Sequence, residues 1–162
     1  MIPDPHTKER LQFLARVVER EIRHLRTTDA LLFDRPFTPE RASELDDDPD
    51  QAERAEAFVA RFNRLQDTVG DKLIPVFLAA LGESPGAAVD NLDKAERLGW
   101  LPSSDEWFAM RRLRNQMVHE YIDDPVVLAS SLETGHGFVP TLTETAERIV
   151  AEGRQRSWLD ES

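Results

Sequence analysis

Apolar residues recur every three or four positions along most of this 162-residue chain, which is the spacing of one face of an α-helix. The first run of this kind extends over residues 7–32. A second run begins at Pro49 and continues beyond Pro75 to about Gly82, so we expect a long helix that is kinked before Pro75. No stretch shows the alternation of apolar and polar residues that indicates a β-strand.

The next part of the chain predicts two further helices. A third helix is expected from Ser84 to about Leu98, with Gly99 as the residue that ends it. Residues 103–106, Ser-Ser-Asp-Glu, have the pattern of a capping box, so a fourth helix should begin there and continue to about Ile122.

The C-terminal quarter predicts a short segment at 125–132, a flexible turn at Gly135-His136-Gly137 and a last helix over about 139–152. Residues 154–162 should form a polar, loosely held tail. Together these elements predict a single all-α domain over residues 1–162, built as an antiparallel up-down bundle of four to five helices.

Composition fits a globular protein, with 40% hydrophobic and 31% charged residues. The chain has no cysteine, so it contains no disulfide framework and no thiolate chemistry. No apolar run approaches the roughly 18 residues of a membrane span, and the first residues lack the pattern of an export signal. We therefore expect a cytoplasmic protein without a membrane partner.

Charge is distributed unevenly along the chain. The net charge of −11 argues against a broad basic surface for nucleic acid, and the densest basic cluster is Arg111, Arg112 and Arg114. The acidic run 46–48 lies in the connection between the first two long helices. Three consecutive carboxylates do not converge on one ion, so we interpret this run as a solvated loop in which Asp48 caps the next helix. We expect no metal and no other cofactor.

The stretch from Arg111 to Tyr121 brings guanidinium, amide, imidazole and phenol groups together. On a continuous helix, Met110, Leu113 and Met117 would face the core, while a second stripe would mix apolar and polar side chains. That second stripe consists of Phe108, Asn115, His119 and Ile122. Such a mixture suits a subunit interface or a functional site.

Three residues of this stretch, Arg114, His119 and Tyr121, are separated by four residues and by one residue. This spacing resembles the Arg-x4-His-x-Tyr motif of HEPN domains. It is most similar to the HepT-like branch, in which a polar residue such as Asn115 follows the arginine. The resemblance extends upstream to residues 61–67 and 98–101. It implies a HEPN-like helical fold and a homodimer in which the two motifs meet in a cleft.

The resemblance also implies a function, a metal-independent endoribonuclease toxin of a toxin–antitoxin system with RNA as its substrate. Arg114 and His119 would be the catalytic pair, and Asn115 and Arg111 would support them. Tyr121 would be the residue to which a cognate nucleotidyltransferase antitoxin attaches AMP. The added bulk and negative charge should block binding of the RNA phosphate.

The residues themselves suit this chemistry. Histidine has a reference pKa of about 6.5 and exchanges protons near neutrality, while arginine stays cationic and binds phosphate in a bidentate fork. One geometric objection arises, because residues five apart on a straight helix point about 140° away from each other. Arg114 and His119 converge only if the helix ends near His119 or if two copies face each other.

Other interpretations stay open, including whether the chain is an enzyme. A second hypothesis is a non-catalytic HEPN small subunit that binds substrate or nucleotide for a partner nucleotidyltransferase, and a third is a helical interaction module without a ligand. In these cases His119 would interact with a helix dipole, Arg114 would form a surface salt bridge, and Tyr121 would be a core aromatic residue. A zinc-protease motif and a glycine-rich phosphate loop are absent from the sequence.

Overall fold

In a computed structural model, the chain is described over residues 2–118 and 123–160. The helices, in chain order, are α1 (Pro5–Leu32), α2 (Pro39–Glu44), α3 (Pro49–Thr68), α4 (Ile74–Ala80), α5 (Ala88–Arg97), α6 (Ser104–Leu113) and α7 (Pro125–Gln155). No β-strand occurs in these two ranges, so the prediction of an all-α fold is confirmed. None of the helices in this part of the chain is long and apolar enough to cross a membrane.

Helices α1 and α3 pack side by side and in opposite directions. Arg61 on α3 donates hydrogen bonds to Thr28 and to the backbone of α1, and Thr68, two turns later on α3, meets Glu21, two turns earlier on α1. Residue numbers that rise on one helix as they fall on the other show that the pair is antiparallel. Burial raises the pKa of Glu21, and the hydrogen bond from Thr68 opposes that rise.

Helices α1 and α7 are also antiparallel. Arg26 forms a 2.7 Å ion pair with Glu147, and Glu19, two turns earlier on α1, pairs with Arg154, two turns later on α7. The three long helices therefore enclose one core, which supports the predicted antiparallel arrangement. The described ranges contain seven α-helices, more than the predicted four to five, because α2 folds as a separate short helix and a π-helical segment separates the second predicted helix into α3 and α4.

The second long helix changes its hydrogen-bond pattern before Pro75. A π-helical segment, Val69–Leu73, joins α3 to α4. Because Pro75 has no N–H to donate, a regular helix would lose a hydrogen bond there, and the wider π turn accommodates this. A Cβ built on Gly70 would lie 3.0 Å from the indole nitrogen of Trp107, so the glycine also permits the close approach of α6. The predicted continuation of the helix through Pro75 is confirmed, and Gly82 ends α4 with a φ of 83°.

Helix α5 begins later than expected and ends as expected. The side chain of Asn91 bonds both the N–H and the C=O of Gly86, at 2.8 and 3.0 Å, and this holds the preceding residues in a loop. The predicted start at Ser84 is therefore wrong, and the helix begins at Ala88. Gly99 has a φ of 81°, and Trp100 N–H bonds back to the last turn of the helix.

Helix α7 is continuous where the sequence predicts a short segment, a turn and a separate helix. Gly135 and Gly137 lie inside it, so the prediction of a flexible turn is wrong. A Cβ on Gly135 would lie 2.6 Å from Met117 Sδ, so this glycine permits close packing. The imidazole of His136 stacks on Phe33 with ring centroids 4.3 Å apart. Tertiary contacts therefore override the weak helix propensity of the glycines.

The chain after α7 is held against the core. Trp158 and Leu159 are buried, and Trp158 N–H donates to Gly153 O at 2.9 Å. The indole packs against Phe77, with ring centroids 5.3 Å apart. The expectation of a loosely held tail is therefore wrong as far as Asp160, where the description ends.

The connection between α1 and α3 is organised around the buried Arg41 on α2. Its guanidinium donates to Leu32 O at the end of α1, to backbone oxygens of residues 35 and 36, and to Gln51 Oε1 on α3. Thr38 caps the start of α2, and the predicted cap at Asp48 is confirmed, because its side chain accepts a hydrogen bond at the start of α3. The acidic connection is thus fixed to both long helices.

Candidate functional site

The helix that carries the motif ends earlier than predicted. Helix α6 stops at Leu113, a 3₁₀ turn follows from Arg114 to Met117, and Val118 is extended with φ −87° and ψ 102°. The predicted continuous helix to Ile122 is therefore wrong for the residues up to Val118. Met117 is fully buried and lies against Gly135 on α7, and we attribute the end of the helix to this contact. A 3₁₀ turn is common at such a helix end.

His119 and Tyr121 lie outside the described residues, as does Ile122. The predictions for these residues, including the catalytic and modification roles, therefore stay predictions. The straight-helix objection does not apply to the described part of the motif, because the α-helix ends at the residue before Arg114. Of the two conditions for convergence with Arg114, a helix end near His119 is the one on which the described residues bear, because the chain leaves helical geometry at Val118.

Arg114 makes a bidentate ion pair with Asp67 on α3. Its Nη1 lies 2.6 Å from Asp67 Oδ1 and its Nη2 lies 3.2 Å from Asp67 Oδ2. Arginine has five N–H donors in a planar fork, so this pair leaves other donors of the guanidinium for a ligand. The ion pair with a neighbouring helix was the alternative interpretation of Arg114, and both interpretations fit this geometry.

Arg111 extends the same cluster by one helical turn. Its Nη2 lies 3.0 Å from Asp71 Oδ1 and 3.6 Å from Asp67 Oδ1. Two arginines, at the end of α6 and on the 3₁₀ turn, therefore face two aspartates, at the end of α3 and in the π-helical segment. All four side chains are partly solvent-exposed, so the ion pairs order the guanidinium groups more than they stabilise the fold.

Several buried polar atoms beside this cluster have no hydrogen-bond partner within residues 2–118 and 123–160. They are Asn63 Oδ1, Gln66 Oε1, Trp107 Nε1 and Arg111 Nε. Gln66 does donate through Nε2 to Trp107 O at 3.3 Å. Native proteins satisfy most buried polar groups, and a water molecule or a ligand commonly supplies the partner that the chain does not.

The structure assigns different environments to the other predicted site residues. Asn115 is exposed on the 3₁₀ turn, and Met110, Leu113 and Met117 are buried as predicted. Phe108 packs partly buried against the core of its own chain. The predicted interface stripe through Phe108 and Asn115 requires a continuous helix, and the helix end at Leu113 removes that alignment.

Asp67 and Asp71 were not singled out as site residues from the sequence. Asp67 lies in the segment 61–67 that carries part of the family resemblance, and Asp71 follows it by one helical turn. Their spacing of four places both carboxylates toward one neighbour on a helix. The signal was therefore present in the sequence, but the helix that they face could be identified only in three dimensions.

A second histidine outside the motif has a carboxylate partner. His136 Nδ1 lies 2.6 Å from Asp29 Oδ1, which joins α7 to the end of α1. Burial raises the pKa of Asp29, and the hydrogen bond with His136 opposes that rise. The stacking of His136 on Phe33 and its contact with α1 indicate a structural link between the two helices.

Within the described ranges, no three side chains of His, Asp or Glu are grouped so that they could hold a metal ion. Comparisons of the chain with protein-family models, with curated proteins and with solved structures found no match. The resemblance to HEPN domains therefore rests on the sequence alone and stays a prediction.

Proposed function

We propose that this protein is a metal-independent endoribonuclease of the HEPN type, most similar to the HepT-like toxins, with Arg114 and His119 as its catalytic pair. The observation that carries the proposal is the end of α6 at Leu113, followed by the 3₁₀ turn and the extended Val118. On a straight helix, the side chains of residues five apart point about 140° away from each other. This constraint does not hold for Arg114 and His119 when the chain leaves helical geometry between them.

The reaction needs one proton acceptor and one cation. An imidazole accepts the proton of the ribose 2′-hydroxyl, and the 2′-oxygen forms a bond to the adjacent phosphorus as the bond from phosphorus to the 5′-oxygen breaks. The products are a 2′,3′-cyclic phosphate and a 5′-hydroxyl, whose proton comes from the imidazolium or from water. In this scheme His119 is the base, and Arg114 stabilises the charge on the phosphoryl oxygens.

Asp67 would position Arg114 for this role. The bidentate pair orients the guanidinium plane and holds it at the end of α6, while the donors that Asp67 does not use bind the phosphate. Arg111, fixed by Asp71 at 3.0 Å, would add positive charge beside it. Asn115, exposed on the turn, would support the substrate, and Tyr121 would be the AMP acceptor.

The ion pair also favours a second candidate function. Because Asp67 compensates the charge of Arg114, and because the whole chain carries a net charge of −11, the site attracts phosphate less than a free arginine would. A non-catalytic HEPN subunit that binds substrate or nucleotide for a partner nucleotidyltransferase needs only weak and reversible binding. The homodimer and the nucleotidyltransferase partner belong to both candidates.

RNA cleavage by the purified protein in excess EDTA separates the two candidates. Wild type should leave 2′,3′-cyclic phosphate ends, and His119→Ala and Arg114→Ala should each lower the rate by at least about 100-fold. Arg112→Ala is the matched control, because Arg112 is exposed, lies outside the motif and precedes Arg114 by two residues at the end of α6. It should cleave at nearly the wild-type rate.

Thermal unfolding of each variant shows whether the fold is retained. A folded wild-type protein that cleaves none of a broad RNA panel, including tRNA, would contradict the ribonuclease proposal. Binding of nucleotide or of a nucleotidyltransferase by the same protein would then support the second candidate. Equal activity of Arg112→Ala and Arg114→Ala would contradict the assignment of Arg114.

A further inference from the structure

Arginine side chains line a groove between α1 and α7. One part of the groove has a volume of about 380 Å³ and is lined by Arg16, Arg20, Arg23 and Arg154. It continues into a second part of about 290 Å³, which Arg26 lines together with Arg23 and Arg154. We refer to these five side chains as the arginine groove.

Positive charge exceeds negative charge in the arginine groove. Its acidic lining residues are Glu19, Glu147 and Asp160, and two of them are engaged in the ion pairs of Arg154 and Arg26. The other three arginines of the groove, all on α1, are exposed and pair with no carboxylate of residues 2–118 and 123–160. In a chain of net charge −11, this is a local reversal of sign.

An exposed aromatic ring extends the same surface. Phe13 is 54% exposed, and Phe13, Arg16, Arg20 and Arg23 are spaced by three, four and three residues along α1. This spacing places the four side chains on one stripe of the helix. The stripe therefore combines three exposed cationic side chains with one exposed aromatic ring.

We propose that the arginine groove and Phe13 bind single-stranded RNA, with the arginines on successive phosphates and the phenyl ring stacked on a base. Proteins that bind single strands combine a positively charged groove with aromatic side chains in this way. The inference rests on the proposed function, because it assigns a binding surface for the RNA that the Arg114 site would cleave. The two sites share no residue, since Arg114 contacts Asp67 on α3 and the groove is lined by residues of α1 and of the C-terminal part of the chain.

Binding is tested with a fluorescent single-stranded oligonucleotide whose riboses carry 2′-O-methyl groups, because such a strand cannot be cleaved by 2′-oxygen attack. The triple variant Arg16→Gln/Arg20→Gln/Arg23→Gln should bind at least tenfold more weakly than wild type. The slope of log affinity against log salt should fall in magnitude by about 2 for the loss of three phosphate contacts.

A second triple variant supplies the matched control. Arg54→Gln/Arg97→Gln/Arg148→Gln removes the same charge from three exposed positions outside the groove and should bind within about twofold of wild type. Phe13→Tyr should keep the affinity and Phe13→Leu should lower it several-fold, because only the aromatic ring stacks on a base. Glu19→Gln should bind more tightly, since it removes a carboxylate and releases Arg154.

Equal losses in the two triple variants, or no binding of the oligonucleotide by wild type, would overturn the inference. The outcome is independent of catalysis. If wild type and the Arg16/Arg20/Arg23 triple variant bind the oligonucleotide equally and cleave RNA at the same rate, the proposed function stands and the inference about the groove is rejected. Specific loss of binding in the groove variant, without any cleavage by wild type, would support the groove and reject the ribonuclease.

Discussion

At Gly135, helix α7 packs closely against Met117 of the 3₁₀ turn that follows α6. A Cβ added there would lie 2.6 Å from Met117 Sδ and 3.4 Å from Phe58. At Gly137, two residues later on the same helix, an added Cβ would meet nothing within 4 Å. Comparison of Gly135→Ala with Gly137→Ala therefore isolates the packing contact.

The expected difference in the free energy of unfolding between the two variants follows from two opposing effects. Replacing glycine by alanine within a helix stabilises it by about 1 kcal/mol, and this gain is common to both variants. Overpacking in a filled core costs about 1–3 kcal/mol, and it applies only to Gly135→Ala. We expect Gly137→Ala to be more stable than wild type and Gly135→Ala to lie about 1–3 kcal/mol below Gly137→Ala, or roughly 2–12 °C in Tm for a domain of this size.

Thermal unfolding and urea unfolding measure this difference. Met117→Ala should cost less stability in the background of Gly135→Ala than in wild type, because the added methyl group fills part of the space that the shortened side chain leaves. The double-mutant cycle should then give a coupling of at least 0.5 kcal/mol. Equal stability of the two alanine variants would show that Met117 does not pack on Gly135 and would remove the reason given for the end of α6.

Three further substitutions test features of the fold. Glu21 has a pKa raised above 4.5 by burial, so its contribution to the free energy of unfolding is present below that pH and is lost as the pH rises through the raised pKa. Wild-type stability should therefore fall over this range relative to Glu21→Gln, as measured by urea unfolding; parallel curves would contradict this. Arg41→Lys should cost about 2–3 kcal/mol, because an ammonium group cannot reach the acceptors on α1 and α3, and Arg35→Lys at an exposed side chain should change little. Trp158→Ala should cost about 3–5 kcal/mol in the same assay, whereas a loosely held tail would give a change near zero.

The sequence was most informative where a local signal agrees with the packing. The caps at Asp48 and Ser103, and the left-handed Gly99, are short-range features that depend only on nearby residues. Each was correctly predicted, because no tertiary contact opposes it. The stripe of Met110, Leu113 and Met117 was correct for the same reason, even though the helix that should have carried it ends at Leu113.

The sequence was misleading where distant contacts determine the local geometry. The two glycines around His136 indicate a turn on their own, but Phe33 and Asp29 hold the histidine from another helix. Arg114, Gln116 and Met117 have good helix propensity, but we infer that the contact of Met117 with Gly135 outweighs it. Asp67 and Asp71 were missed as site residues because the arginines that they bind lie 40 to 47 residues further along the chain.

The π-helical segment Val69–Leu73 also determines where sequences related to this chain could differ from it in length. A π turn holds one residue more than the α-turn that it replaces. Removal of one residue there would let an ordinary α-helix run through while the apolar faces before and after it stay aligned with the core. The same deletion in the middle of α3 would turn every later side chain by about 100°. Close relatives should therefore differ by single-residue gaps in this segment far more often than elsewhere in the long helix.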